Sequence, residues 1–265
     1  MTDWWWAYLA LGGFVGFFSG LLGIGGGSAM VPVLVFIFAA KQFTPDYVVH
    51  LALGTGIASI LFTSASSVRS HHWRNAVNWR VVRRMIPGVV TGTFCGALLA
   101  GYLDVRMLSI AFTALIYYLA TRLLLETKPV ASRDLPGSAV IALVGGGIGV
   151  LSSLSATGGA SLVVPFLVKR NIRVHEAIGT AAAIGWPLAA AGTAGYIVSG
   201  LTTPGLPEYS IGFVYFPALF WIVIASMLMA PVGARIAHRT PGNTLKKIFA
   251  ILLYILATKM LLSFF

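Results

Sequence analysis

A chain of 265 residues with 58% hydrophobic residues, only 9% charged residues and a mean hydropathy of +0.89 cannot keep a globular surface wet, since soluble domains carry about 25% charged residues. It reads as an integral membrane protein with room for roughly ten spans of ~20 residues, which excludes a large soluble catalytic or nucleic-acid-binding module. The net charge of +11, from 18 Lys and Arg against 7 Asp and Glu, is assigned to cytoplasmic loops, not to nucleic acid.

Met-Thr-Asp and then Trp4, Trp5 and Trp6 open the chain without a basic n-region or small-residue cleavage site. No cleavable signal peptide is expected, and the tryptophans read as an interfacial belt. Apolar segments follow at about 5–22, 29–40, 47–67, 81–103 and 107–125, and again at about 138–155, 161–169, 175–199, 211–233 and 245–264. Cys95, the single cysteine, lies in an apolar run, so neither an intrachain disulfide nor a Cys-based metal site is expected. Between the two sets of five lies Glu126-Thr-Lys-Pro-Val-Ala-Ser-Arg-Asp-Leu-Pro136, a polar linker.

The sets resemble each other in order. Gly16-Phe-Phe-Ser19 through Gly25-Gly26-Gly27-Ser28 to Pro32 matches Gly149-Val-Leu-Ser152 through Gly158-Gly159-Ala160-Ser161 to Pro165. His50-Leu-Ala-Leu-Gly54-Thr55 matches His175-Glu-Ala-Ile-Gly179-Thr180, and Leu119-Ala-Thr-Arg122 matches Leu256-Ala-Thr-Lys259. Three matches in one order indicate an internal duplication.

Loop charge orients the halves. Arg69, Arg74, Arg80, Arg83 and Arg84 surround the loop between the third and fourth segments, while the corresponding stretch at 200–210 has no Lys or Arg. After the fourth segment the pattern reverses, with Arg106 alone against Arg235, Arg239, Lys246 and Lys247. Counting the first two segments of each half as going in and coming back puts fifteen of the 18 basic residues on one side, a strong positive-inside signal. Counting each pair as a single kinked crossing destroys that bias. The expected fold is therefore an all-α integral membrane protein, an inverted repeat of two five-segment halves (1–125 and 137–265) around a cytoplasmic linker at 126–136. Each half begins with a Gly-broken, re-entrant hairpin, and both termini lie outside.

The candidate chemistry sits at the breaks. A glycine run at membrane depth frees backbone groups, which is tolerated where it is buried in protein or lines a wet cavity. A helix restarting at Ser28 or Ser161 points unpaired N–H groups and its positive dipole end into the break, and glycines let an anion approach the backbone. Ser19, Gly25, Gly26, Gly27 and Ser28 in one half, with Ser155, Thr157, Gly158, Gly159 and Ser161 in the other, are the candidate substrate ligands. Small residues also serve close helix packing, but matched breaks in an inverted duplication are where transporters place substrate. Thr55 and Thr180 offer hydroxyls to a cavity or to packing.

All seven carboxylates fall at segment ends or in loops, so neutral donors and helix ends remain, a set suited to a small oxyanion. His50 and His175, at equivalent segment starts, could titrate and couple transport to protons, although a His there is more often interfacial. His71-His72-Trp73-Arg74 is a weak metal signal and reads as a headgroup anchor. No metal or cofactor is expected, and no enzyme motif is present.

The run Gly16-Phe-Phe-Ser-Gly-Leu-Leu-Gly-Ile-Gly-Gly-Gly-Ser-Ala-Met-Val-Pro32, with His50-x-x-x-Gly54-Thr55 and the second copies of both, resembles the sulfite exporter family (TauE/SafE-like, also called the 4-toluenesulfonate uptake permease family). The second break departs, with Ala156-Thr157-Gly158-Gly159-Ala160 in place of the longer glycine run, so the two half-sites are not expected to bind identically. The resemblance implies secondary transport of a small organosulfur or sulfur oxyanion, such as sulfite, sulfoacetate or another sulfonate, across the bacterial inner membrane and coupled to protons. The rival readings are an anion channel and a non-transporting membrane scaffold.

Overall fold

The computed structural model describes residues 4–22, 27–73, 75–125, 135–237 and 242–264. Ten α-helices account for nearly all of them: α1 (Trp5–Leu22), α2 (Gly27–Ala40), α3 (Val48–Trp73), α4 (Trp79–Tyr102), α5 (Val105–Leu124), α6 (Ser138–Ser155), α7 (Ala160–Val168), α8 (Val174–Gly200), α9 (Phe216–Ala237) and α10 (Gly242–Leu262). The protein is an all-α integral membrane protein: among the described residues α3, α4, α5, α6, α8 and α9 contain stretches long and apolar enough to cross a membrane. The ten expected segments correspond to the ten helices. Of the linker, 126–134 lies outside the described residues.

Two local differences stand out. Helix α3 continues through Arg69 to Trp73, so these basic and aromatic residues extend the helix past its apolar part. The stretch before α9 begins with a hairpin, β1 (Ser210–Ile211) against β2 (Val214–Tyr215). Gly212 leads its two-residue turn at φ 53°, the positive φ that tight hairpins need. A side chain there would also collide with the Ile197 carbonyl of α8, 2.1 Å from a β-carbon.

Helix crossings repeat at matched positions. Gly12 and Gly16 of α1 press on α9, where β-carbons would lie 2.6 Å from the Ile222 carbonyl oxygen and 2.5 Å from Ser226 Cα. Gly145 and Gly149 of α6 press on α4, at 2.8 Å from the Met85 oxygen and 2.6 Å from the Val89 oxygen. Lacking a hydrophobic drive inside lipid, helices associate through such close backbone packing. Helix α1 thus packs on α9 as α6 packs on α4.

Contact registers give relative directions. Gly54 meets Tyr196, Ile57 meets Gly192 and Ser64 meets Gly185, so α3 and α8 run antiparallel. Tyr117 is hydrogen-bonded to Thr258 and Thr121 to Tyr254, which makes α5 and α10 antiparallel as well. Trp4, just before α1, and Lys41, just after α2, line one pocket, so α1 and α2 form a hairpin. Helices α2 and α7, of 14 and 9 residues, are about 21 and 14 Å long, short of a ~30 Å hydrocarbon core.

Candidate substrate site at the paired helix breaks

The second break is fully described. Helix α6 ends with Ala156 in the left-handed region at φ 47°, and Gly159, at φ 74°, precedes α7. A left-handed alanine is strained, and such residues persist where their surroundings overdetermine them; Ala156 is wholly buried. Ser155 Oγ donates to the Leu151 carbonyl at 2.8 Å and lies 2.9 Å from Thr157 Oγ1.

The first break is described from Gly27 onward; Gly25 and Gly26 lie outside the described residues. Gly27 packs directly on the second break: a β-carbon here would sit 2.0 Å from the Ala156 carbonyl oxygen and 3.1 Å from Ile60. The start of α2 therefore meets the end of α6. Gly158 touches Ile60, Gly159 touches Leu188, and Gly185 approaches the Gly158 carbonyl. Ile60 and Leu188 lie near the midpoints of α3 and α8, the two longest helices, so the meeting point is halfway along both.

Unsatisfied donors mark this point. Ser28, at the first turn of α2, is 1% exposed and its hydroxyl has no partner. Ser152, one turn before the end of α6, is likewise buried with a partnerless hydroxyl. A buried polar group without a hydrogen bond costs about 1–3 kcal/mol; Ser28 adjoins the meeting point directly, and Ser152 lies one turn before it along α6. Ser161 is half-buried and has a partner, and Ser19 is half-buried in α1. Ser59 of α3 lies beside them, donating to the Gly56 carbonyl at 2.7 Å, with Met30 sulfur at 3.5 Å. Ser59, Ala156 and Gly185 were not singled out from the sequence; the small residues of α3 and α8 were the available signal.

The Gly-Thr pairs have a different part. Thr55 Oγ1 accepts the Tyr215 amide at 3.0 Å, and Thr180 Oγ1 accepts the Asn78 amide at 2.9 Å. Tyr215 and Asn78 stand immediately before α9 and α4. Gly54 and Gly179 make room for the same joints, since β-carbons there would lie 2.3 Å from the Phe213 oxygen and 2.1 Å from the Ala76 oxygen. Of the two roles open to these threonines, packing is the one their acceptor oxygens perform.

The histidines diverge. His50 is buried, with Nε2 3.0 Å from both the Ala100 and Leu103 carbonyls at the end of α4, and with Nδ1 unpartnered. His175 is exposed. They lie about 15 and 20 Å along their helices from Ile60 and Leu188, so neither is brought to the breaks. His72 stacks edge-on against Trp79, and no cluster of metal-ligating side chains occurs among the described residues.

Comparison with known proteins fits this architecture. The family model described as "Sulfite exporter TauE/SafE" matches residues 8–260. A protein of Haemophilus influenzae named "Probable membrane transporter protein" is 37% identical, covering 96% of this chain and 97% of its own length. The "Probable membrane transporter protein YdhB" of Bacillus subtilis is 25% identical over 88% of this chain and 90% of its own. A third, MJ0441 of Methanocaldococcus jannaschii, bears the same description and is 26% identical over 96% and 94%. No solved structure matches. With the family model spanning nearly every helix and both breaks, the chain belongs to the sulfite exporter TauE/SafE family of membrane transporters.

Proposed function

We propose that this protein is a secondary transporter that moves a small organosulfur or sulfur oxyanion across the bacterial inner membrane, coupled to protons. The anion binds where the two helix breaks meet. One observation carries this reading: the start of α2, with Gly27 against the Ala156 carbonyl and the Ser28 hydroxyl buried and unpartnered, lies halfway along α3 and α8. Helix N-termini and neutral hydroxyls favour an anion. The ligand set is Ser19, Gly25 to Ser28, Ser152, Ser155, Thr157 to Gly159 and Ser161.

The antiparallel registers of α3 with α8 and of α5 with α10 support an inverted repeat, since each helix runs against its counterpart. In this topology 126–136 is cytoplasmic, the termini are outside, and the two halves rock about the shared breaks to alternate access.

The test has a binding arm and a transport arm. Purified protein is screened by thermal shift against sulfite, sulfate, thiosulfate, sulfoacetate, taurine and 4-toluenesulfonate, with chloride and acetate as controls. A ligand at 100 times its Kd adds about 2.7 kcal/mol, so one sulfur oxyanion should raise Tm, and the rise should vanish in Ser28→Leu. Proteoliposome uptake of that anion should follow an imposed pH gradient and show trans-acceleration, which a channel lacks. Unchanged uptake in both Ser28→Leu and Gly26→Leu would overturn the site.

A further inference from the structure

A second feature lies at the mouth of the molecule, away from the breaks. Just beyond α2, the Lys41 ammonium sits over three rings, 5.1 Å from the Tyr215 centroid, 5.2 Å from Phe43 and 5.9 Å from Tyr8, and donates to Tyr215 Oη at 3.0 Å. The side chain is half-buried. Cation–π contacts hold the ammonium in place without neutralising it, and with one N–H given to Tyr215 the ammonium keeps further donors for a ligand in the pocket it lines.

That charge lines a pocket of about 430 Å³ together with Trp4, Phe43, Pro207, Glu208 and Tyr209. Its outer wall is fixed. Thr44 Oγ1 donates to the Gly205 carbonyl at 3.0 Å, and the Phe216 amide donates to the Tyr209 carbonyl at 3.2 Å, pinning the 201–209 loop across the pocket. The volume is within the range of small-molecule sites, and the pocket is open on one side with mixed polar and apolar walls.

We infer that this pocket is a second ligand site, for a singly charged organic anion whose carboxylate or sulfonate head takes the Lys41 ammonium while its apolar body lies against Trp4 and Phe43. Glu208, exposed at the same pocket, repels a second negative charge and biases the site against dianions. Tyr215 links this mouth to the core, since its amide is held by Thr55 of α3. The site stands independently of the paired-break reading.

Isothermal titration of the full-length protein in detergent with benzenesulfonate, benzoate and sulfate tests it. Benzenesulfonate or benzoate should bind saturably, the stronger of the two identifying the preferred head, and sulfate should not. Lys41→Met should weaken the aromatic anion at least tenfold and Trp4→Ala several-fold, while Ser28→Leu leaves this affinity unchanged. Glu208→Gln should tighten the anion several-fold and admit sulfate, and carries the test if Lys41→Met does not fold. Absence of saturable binding, equal affinity in wild type and Lys41→Met, or loss in Ser28→Leu alone would overturn the proposal. The last result would move the binding to the breaks and leave the paired-break reading intact.

Discussion

In the first half, Thr55 holds the amide just before α9; in the second, Thr180 holds the amide just before α4. Gly12 and Gly16 seat α1 on α9 as Gly145 and Gly149 seat α6 on α4, and Tyr117 with Thr258 mirrors Tyr254 with Thr121. Away from these joints the halves part. His50 is buried against the end of α4 while His175 is exposed, and Ser28 is an orphaned donor while Ser161 has a partner. The residues bearing the joined amides differ too: Tyr215 takes the Lys41 ammonium, whereas Asn78 Nδ2 donates to Glu176 at 2.7 Å. The positions that the sequence matches between the halves are alike where helices cross, and differ at the helix breaks and at the loops beyond the helix ends.

The largest expected effects test the shared crossings. A β-carbon at Gly149 would lie 2.6 Å from the Val89 oxygen, and one at Gly16 2.5 Å from Ser226. These are backbone contacts that no rotamer change relieves, so Gly149→Leu and Gly16→Leu should each cost about 3 kcal/mol and yield aggregated material on size exclusion. If one is tolerated, the two crossings are not equivalent. Next come the joints: Thr55→Val strips the acceptor from a buried amide and Thr180→Val from a half-buried one, so each should cost about 1–3 kcal/mol, with the larger fall in Tm at Thr55. The histidines should break the match. His50→Ala removes a buried tie to α4 and lowers Tm, whereas the exposed His175→Ala should stay within about 0.5 kcal/mol.

How much of this was legible in the sequence follows from what hydropathy and repetition encode. The ten helical segments could be read because apolar runs are local, and the matched motifs that propose the duplication are local too. The role of Thr55 could not, because a hydroxyl inside an apolar helix serves a cavity or a joint according to its partner, and Tyr215 lies 160 residues away. The hairpin at 210–215 was absorbed into the ninth segment because Ile211, Phe213, Val214 and Tyr215 are apolar, and a short apolar run does not separate strand from helix end. At the candidate site the glycines and serines were visible, but Ala156 was not, since nothing in its identity announces a left-handed conformation.

Ala156 and the Tyr–Thr clasps give the finest tests. Ala156→Gly removes a strained backbone state and should stabilise the fold by about 1 kcal/mol, moving the second break toward the glycine-rich character of the first. Opening a clasp should have a small effect as well, because hydrogen bonds between membrane helices average about 0.6 kcal/mol in double-mutant cycles. Tyr117→Phe and Tyr254→Phe should therefore lower Tm slightly and equally, with cycles against Thr258→Ala and Thr121→Ala returning the same coupling. Under the inverted-repeat proposal the two clasps are each other's counterparts. Unequal couplings would mean that α5 and α10 are not related as the other helix pairs are, and the inverted-repeat proposal would then rest on α3 and α8 alone.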